Sequence, residues 1–223
     1  MSEIVVEQKK SHGKGLVLIT VFFLLCVSSP LLMLGTFMPA LFAPGVLPAP
    51  GGGGPGGLPE GPVPLFVPAE IQYQSRSSAY PFLIAWLNSR NSALADSEHL
   101  AAIEAAGQKW NVDPLLLLAI TGQEQSFVPK RGNWRAVEKN PWNVFGSWEY
   151  WSGGFSLSAQ WAAATVARLS RGCPEGTSVI QWVNGFDSSG RRSNPGWGYA
   201  GHAEWWRGVS YFYNQLKQVA EGG

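Results

Sequence analysis

Apolar residues return at helical intervals through most of the second half of the chain. The clearest run is the last. Trp205, Val209, Phe212, Leu216 and Val219 lie 4, 3, 4 and 3 residues apart and make one oily face of a helix. Further upstream, Asp96 or Ser97 can cap a helix that keeps Leu100, Ile103 and Trp110 in phase. A second helix follows at once: Asp113 caps, Pro114 suits the first helical position, and Leu115 to Ile120 carry it forward. Ser156 or Ser158 can start a third, containing Trp161 and Val166 and stopping at Gly172-Cys173-Pro174. Thr177 to Asn184 reads as a short helix ended by Gly185. Loops rich in glycine and polar residues separate these runs, at 132–154 and 187–198. No sustained alternation of period two occurs, so β structure is limited to a short hairpin over Trp142 to Phe155. The expected fold class is mainly α, beginning near Ala69.

The first third of the chain reads differently. Lys9, Lys10 and Lys14 precede an uncharged run, of which 15–38 is long enough to span a bilayer. Basic residues before such a run keep the N-terminus in the cytoplasm. A cleaved leader is the alternative, but Pro30 blocks the site after Ser29 and Leu25 precedes Cys26. A retained anchor is therefore expected: residues 1–14 as cytoplasmic tail, 15–38 as membrane span, and the remainder outside the cytoplasm. Residues 39–68 are dominated by proline and glycine, a tether that stretches on the order of 90 Å at about 3.1 Å per residue. The domain is then 69–223.

Composition narrows the chemistry. Charged residues are 14% of the chain and the formal charge is +1, which argues against a nucleic-acid partner. Of the two cysteines, Cys26 lies in the span and Cys173 outside it, so no disulfide forms within the domain. His12, His99 and His202 are scattered and suggest no metal site, and no cofactor motif is present. Eleven tryptophans lie between Trp86 and Trp206, side chains that serve both cores and sugar-binding faces.

The chemical candidate is Glu124. Leu117, Ile120 and Glu124 fall at i, i+3 and i+7, which places a carboxyl at the end of an oily helix stripe. Desolvation there favours the protonated acid, the form a general acid needs. The plainer alternative is a glutamate turned outward into water.

Val112-Asp113-Pro114, the aliphatic run Leu115 to Ile120 and Glu124-Gln125-Ser126-Phe127 resemble the catalytic-helix signature of the lysozyme-like superfamily, which includes soluble lytic transglycosylases and bacterial glucosaminidases. Asn140-Pro141-Trp142-Asn143-Val144-Phe145-Gly146 resembles its Asn-Pro-x-Asn-hydrophobic-Phe-Gly turn. Gly198-Tyr199-Ala200 resembles its Tyr-Ala motif, and Asn91-Ser92-Ala93-Leu94 the entry of glucosaminidase-like domains. The resemblance covers roughly residues 80 to 220 and implies a lysozyme-like domain acting on peptidoglycan glycan strands, near envelope-spanning machinery. Glu124 would be the acid, and Tyr199 would point its hydroxyl toward that acid. Glu149 and Glu138 are the first candidates for a second carboxylate, ahead of Asp187 and Glu204. A cleft bordered by Gln125, Ser126, Phe127, Trp142, Asn143, Phe145, Gly146 and Trp148 is implied, with Trp142 and Trp148 offering stacking faces, Phe145 packed below and Gly146 permitting close approach. Gln125 stands where transglycosylases usually carry serine, and their Gly-Leu-Met-Gln stretch is absent. Both departures favour the glucosaminidase-like branch. Lytic transglycosylase activity and a non-catalytic binding or scaffold module are the alternatives.

Overall fold

The computed structural model of the chain describes residues 57–58, 66–187, 189–193 and 198–222. The expected tail and membrane span, and most of the tether, lie outside these residues. Among those described, no helix is long and apolar enough to cross a membrane.

The fold is mainly α. Helix α1 (Tyr80–Asn88) was not singled out by periodicity; Pro81 in its first turn and buried Leu83 and Leu87 define it. Helix α2 (Ser97–Trp110) begins as expected, with the Asp96 carboxylate accepting from the His99 amide at 2.9 Å. Helix α3 (Pro114–Gln125) is capped by Asp113, which accepts from the Leu115 amide at 2.9 Å. A single turn, α4 (Trp134–Val137), and two 3-10 turns (Val144–Gly146 and Trp148–Tyr150) follow. Then come α5 (Phe155–Leu169), the short α6 (Val179–Asn184) and α7 (Trp205–Ala220).

Helix α3 is the axis. Every residue from Pro114 to Gly122 is buried, so the expected stripe is in fact apolar on all sides, as a central helix must be. Helices α7, α2 and α5 pack around it, α2 also meets α5, and α7 also meets α1 and α6. Gly208 lets α7 approach closely, since a methyl there would collide with the Gln123 side chain. This crossing brings the start of α7 to the far end of α3.

Three expectations are corrected. No hairpin forms over Trp142 to Phe155: Asn143, Phe145 and Gly146 take positive φ, which coils this segment into 3-10 turns. Among the described residues the only β features are the isolated bridges Ser92–Pro129 and Phe186–Arg192. Helix α5 starts at Phe155, before either candidate serine, because the Ser158 hydroxyl donates to the Lys139 and Phe155 carbonyls instead of capping. Along α7 the buried residues are Trp205, Val209, Tyr213 and Leu216, while Phe212 and Val219 are half-buried. Tyr213 joins the core because its hydroxyl finds Asp113 at 2.9 Å.

Candidate active site

Glu124 stands in the last turn of α3, where the helix dipole disfavours a negative charge. The residue is half-buried, with its carboxyl the deeper part, surrounded by protein atoms. Its Oε1 accepts from the Trp205 indole at 2.7 Å and its Oε2 from the Asn143 amide at 2.9 Å. Asn143 in turn accepts from the Gln125 amide at 3.0 Å. Burial holds the Glu124 carboxyl above the ordinary 4.5, and the bonds from Asn143 and Trp205 pull the other way without cancelling it. Among the described residues no cation and no second carboxylate contributes.

Two strained turns flank the site. Past the end of α3, Ser126, Phe127 and Val128 have φ of 49°, 61° and 55°, conformations that cost a side-chain-bearing residue about 1–3 kcal/mol each. The fold enforces them. Ser126 and Phe127 amides return to Gly122 and Thr121 carbonyls, and the Ser92 hydroxyl donates to the Phe127 carbonyl. The Phe127 ring is wedged edge-on between Trp86 and Phe212, in space that Gly122 leaves free. In the second turn Asn143, Phe145 and Gly146 have φ of 51°, 61° and 98°. Asn140, wholly buried, clamps it by donating to the Val144 carbonyl at 2.9 Å and accepting from the Val144 amide at 3.1 Å. Trp142 ties the turn to α3 by donating to the Leu117 carbonyl at 2.8 Å.

Comparison with protein-family models, curated proteins and solved structures returned no match for the chain.

The structure gathers Glu124, Gln125, Asn143 and Tyr199 in one place. The Tyr199 ring stacks on Trp205 (4.8 Å, 18°), but its hydroxyl donates to the Trp142 carbonyl at 3.3 Å, not to the acid. Burial, and then the charge of Glu124, raise the Tyr199 hydroxyl far above its usual range, so it stays an O–H group. Gly146 needs glycine for its backbone angle; nothing crowds the space a side chain would fill. Phe145 packs against Trp151 and Trp161, as a supporting residue should. Trp148 is half-buried beside Tyr150, which is 82% exposed. Ser126 is exposed at the turn.

Two cleft residues are reassigned. Trp142 is 1% exposed and Phe127 is 2% exposed, so neither has a face to offer a sugar. Both brace the turns that carry the site.

Three of the four second-carboxylate candidates are engaged elsewhere. Glu138 meets the His99 Nε2 at 2.9 Å, and the other ring nitrogen meets Asp96 at 2.7 Å. Glu149 is exposed, with its amide donating to the Ser147 hydroxyl. Asp187 is half-buried and drawn down to about 2 by the Ser189 hydroxyl and the Arg191 amide. Glu204 pairs with Arg207 at 2.6 Å. Among the described residues, no cluster of three or more histidine, cysteine or acidic side chains is placed to hold a metal.

Trp205 is the site residue that periodicity hid, because it also fits the seam of α7. Its position six residues after Tyr199, at the first turn of that helix, was the available signal.

Proposed function

We propose that this chain cleaves the β-1,4 glycan strand of peptidoglycan, with Glu124 as the general acid. The observation that carries the reading is the enclosed carboxyl at the C-terminal end of α3, held among the described residues by two neutral donors, Trp205 and Asn143. Burial favours the protonated form needed to protonate a departing glycosidic oxygen. The same two donors then accommodate the carboxylate that remains. The motifs quoted above support a lysozyme-like fold of the glucosaminidase or muramidase type. The basic, then uncharged, N-terminal segment supports an anchored protein whose domain works on the wall outside the cytoplasm.

A second reading draws on a specific observation. Inverting hydrolysis calls for a partner carboxylate about 6.5–9.5 Å from the acid, and retaining hydrolysis for one at about 5–5.5 Å or for an assisting substrate group. Glu138, Asp187 and Glu204 are bonded to His99, Arg191 and Arg207, Glu149 is exposed, and among the described residues no carboxylate perturbs Glu124. Chemistry with one carboxyl suits a lytic transglycosylase. There the sugar's own 6-hydroxyl attacks the anomeric carbon and returns its proton to Glu124, leaving a 1,6-anhydro end.

Incubating the full chain with purified sacculi and weighing the released fragments by mass spectrometry tests both. Release that disappears in Glu124→Gln supports the enzyme. Anhydro ends select transglycosylase, and reducing muramic or glucosamine ends select muramidase or glucosaminidase. Binding to sacculi without release by either protein would overturn catalysis in favour of a binding module.

A further inference from the structure

Glu124 is held from two sides by donors of different kinds. The Trp205 indole can only donate, so it serves Oε1 whether or not the carboxyl is charged. Asn143 carries a donor and an acceptor on one planar group, and it faces Oε2. Its backbone has little freedom: φ is 51°, its amide is bonded to the Asn140 carbonyl, and its carbonyl accepts from Gly146. Its terminal torsion, by contrast, is two-fold and soft. Beyond it lies a second amide, Gln125, which donates to the Asn143 oxygen at 3.0 Å. The Gln125 side chain is half-buried at the end of α3, and among the described residues no third side chain fixes its outer end.

Two coupled amides with a free outer end have two complete hydrogen-bonding arrangements. In the first, which the structure records, Gln125 donates to Asn143 and Asn143 donates to a Glu124 carboxylate. In the second, both amides are turned over: the Glu124 hydroxyl donates to the Asn143 oxygen, and the Asn143 nitrogen donates to the Gln125 oxygen. We propose that Gln125 and Asn143 form a relay that turns over as a unit when Glu124 gains or loses its proton, so that the acid keeps a partner in both states. Gln125 is then a positioning residue acting through Asn143. The idea rests on the reading of Glu124 as a group that cycles between acid and base. The groups acting on Glu124 are its buried surroundings, Asn143 and Trp205, and the titratable neighbour that feels its charge is Tyr199.

The test is a carbon-13 NMR titration of the Glu124 carboxyl in the full chain without substrate. It is run on the wild type, Gln125→Glu, Asn143→Ala and the double variant. A carboxylate at 125 only accepts, so it turns the Asn143 nitrogen outward and its oxygen toward Glu124. It also repels Glu124 through space, with or without Asn143. The relay adds an effect of its own: Gln125→Glu increases the proton affinity of Glu124 by about threefold more when Asn143 is present than in the Asn143→Ala background. Equal increases in the two backgrounds would overturn the relay. Should Asn143→Ala fail to fold, nitrogen-15 shifts of the Gln125 side-chain amide in the wild type decide alone. They follow the Glu124 midpoint if the relay turns, and they stay flat if it does not. Because no glycan enters either measurement, failure of the relay and failure of the glycan-cleaving reading are seen separately.

Discussion

Helix α3 carries a carboxylate at each end, and the two are treated in opposite ways. At the N-terminus Asp113 is 2% exposed and fully matched. Arg76 meets it through two nitrogens at 3.2 and 2.6 Å, Tyr213 donates at 2.9 Å, and the Leu115 amide adds a fourth bond. The helix dipole also favours an anion there. At the C-terminus Glu124 meets no cation among the described residues, faces the unfavourable end of the dipole, and receives two neutral donors. A buried carboxylate with its countercharge holds a fold together. One without it is left able to take a proton.

Substitutions at the two ends should therefore break different things. Glu124→Gln has the largest expected effect, a fall of about a thousandfold in glycan release from sacculi, with the fold intact by circular dichroism. Its stability carries a second signature. Burial raises Glu124 in the folded chain above its unfolded value near 4.5, so the folded state binds the proton more tightly. The stability from this group is full below pH 4.5 and is lost as pH rises through the raised value. Denaturation midpoints of Glu124→Gln should thus gain on the wild type with rising pH. Asp113→Ala should act at the other end by leaving Arg76 without its partner, a loss of about 3 kcal/mol by denaturant unfolding. Trp205→Phe comes next, at about 2 kcal/mol, and it should move the alkaline limb of any activity to higher pH because the carboxylate loses a donor. Smallest is Ser126→Gly, which relieves one exposed positive-φ residue and should stabilise by about 0.5–1 kcal/mol in a thermal melt.

Much of the helical framework was legible because its signals are local. Asp96, Asp113 with Pro114, and Gly185 mark helix ends through bonds or backbone angles within a few residues. Glu124 was legible for the same reason, as the end of an apolar run. What stayed hidden depends on distant partners. Trp205 reaches Glu124 across 81 residues, and nothing in a helical seam marks one tryptophan as a donor. Glu138 read as a candidate second carboxylate until α2 brought His99 to it. Trp142 and Phe127 were expected to border a cleft, but turns of positive φ drive both rings inward. The same angles replaced the expected hairpin.

The most direct measurement is the titration of the Glu124 carboxyl itself in the intact chain, followed by carbon-13 NMR. A midpoint clearly above the ordinary 4.5 is the predicted result, rising further in Trp205→Phe. A midpoint at or below 4.5 would mean a carboxylate already ionised in mild acid, and would contradict the assignment of Glu124 as a general acid.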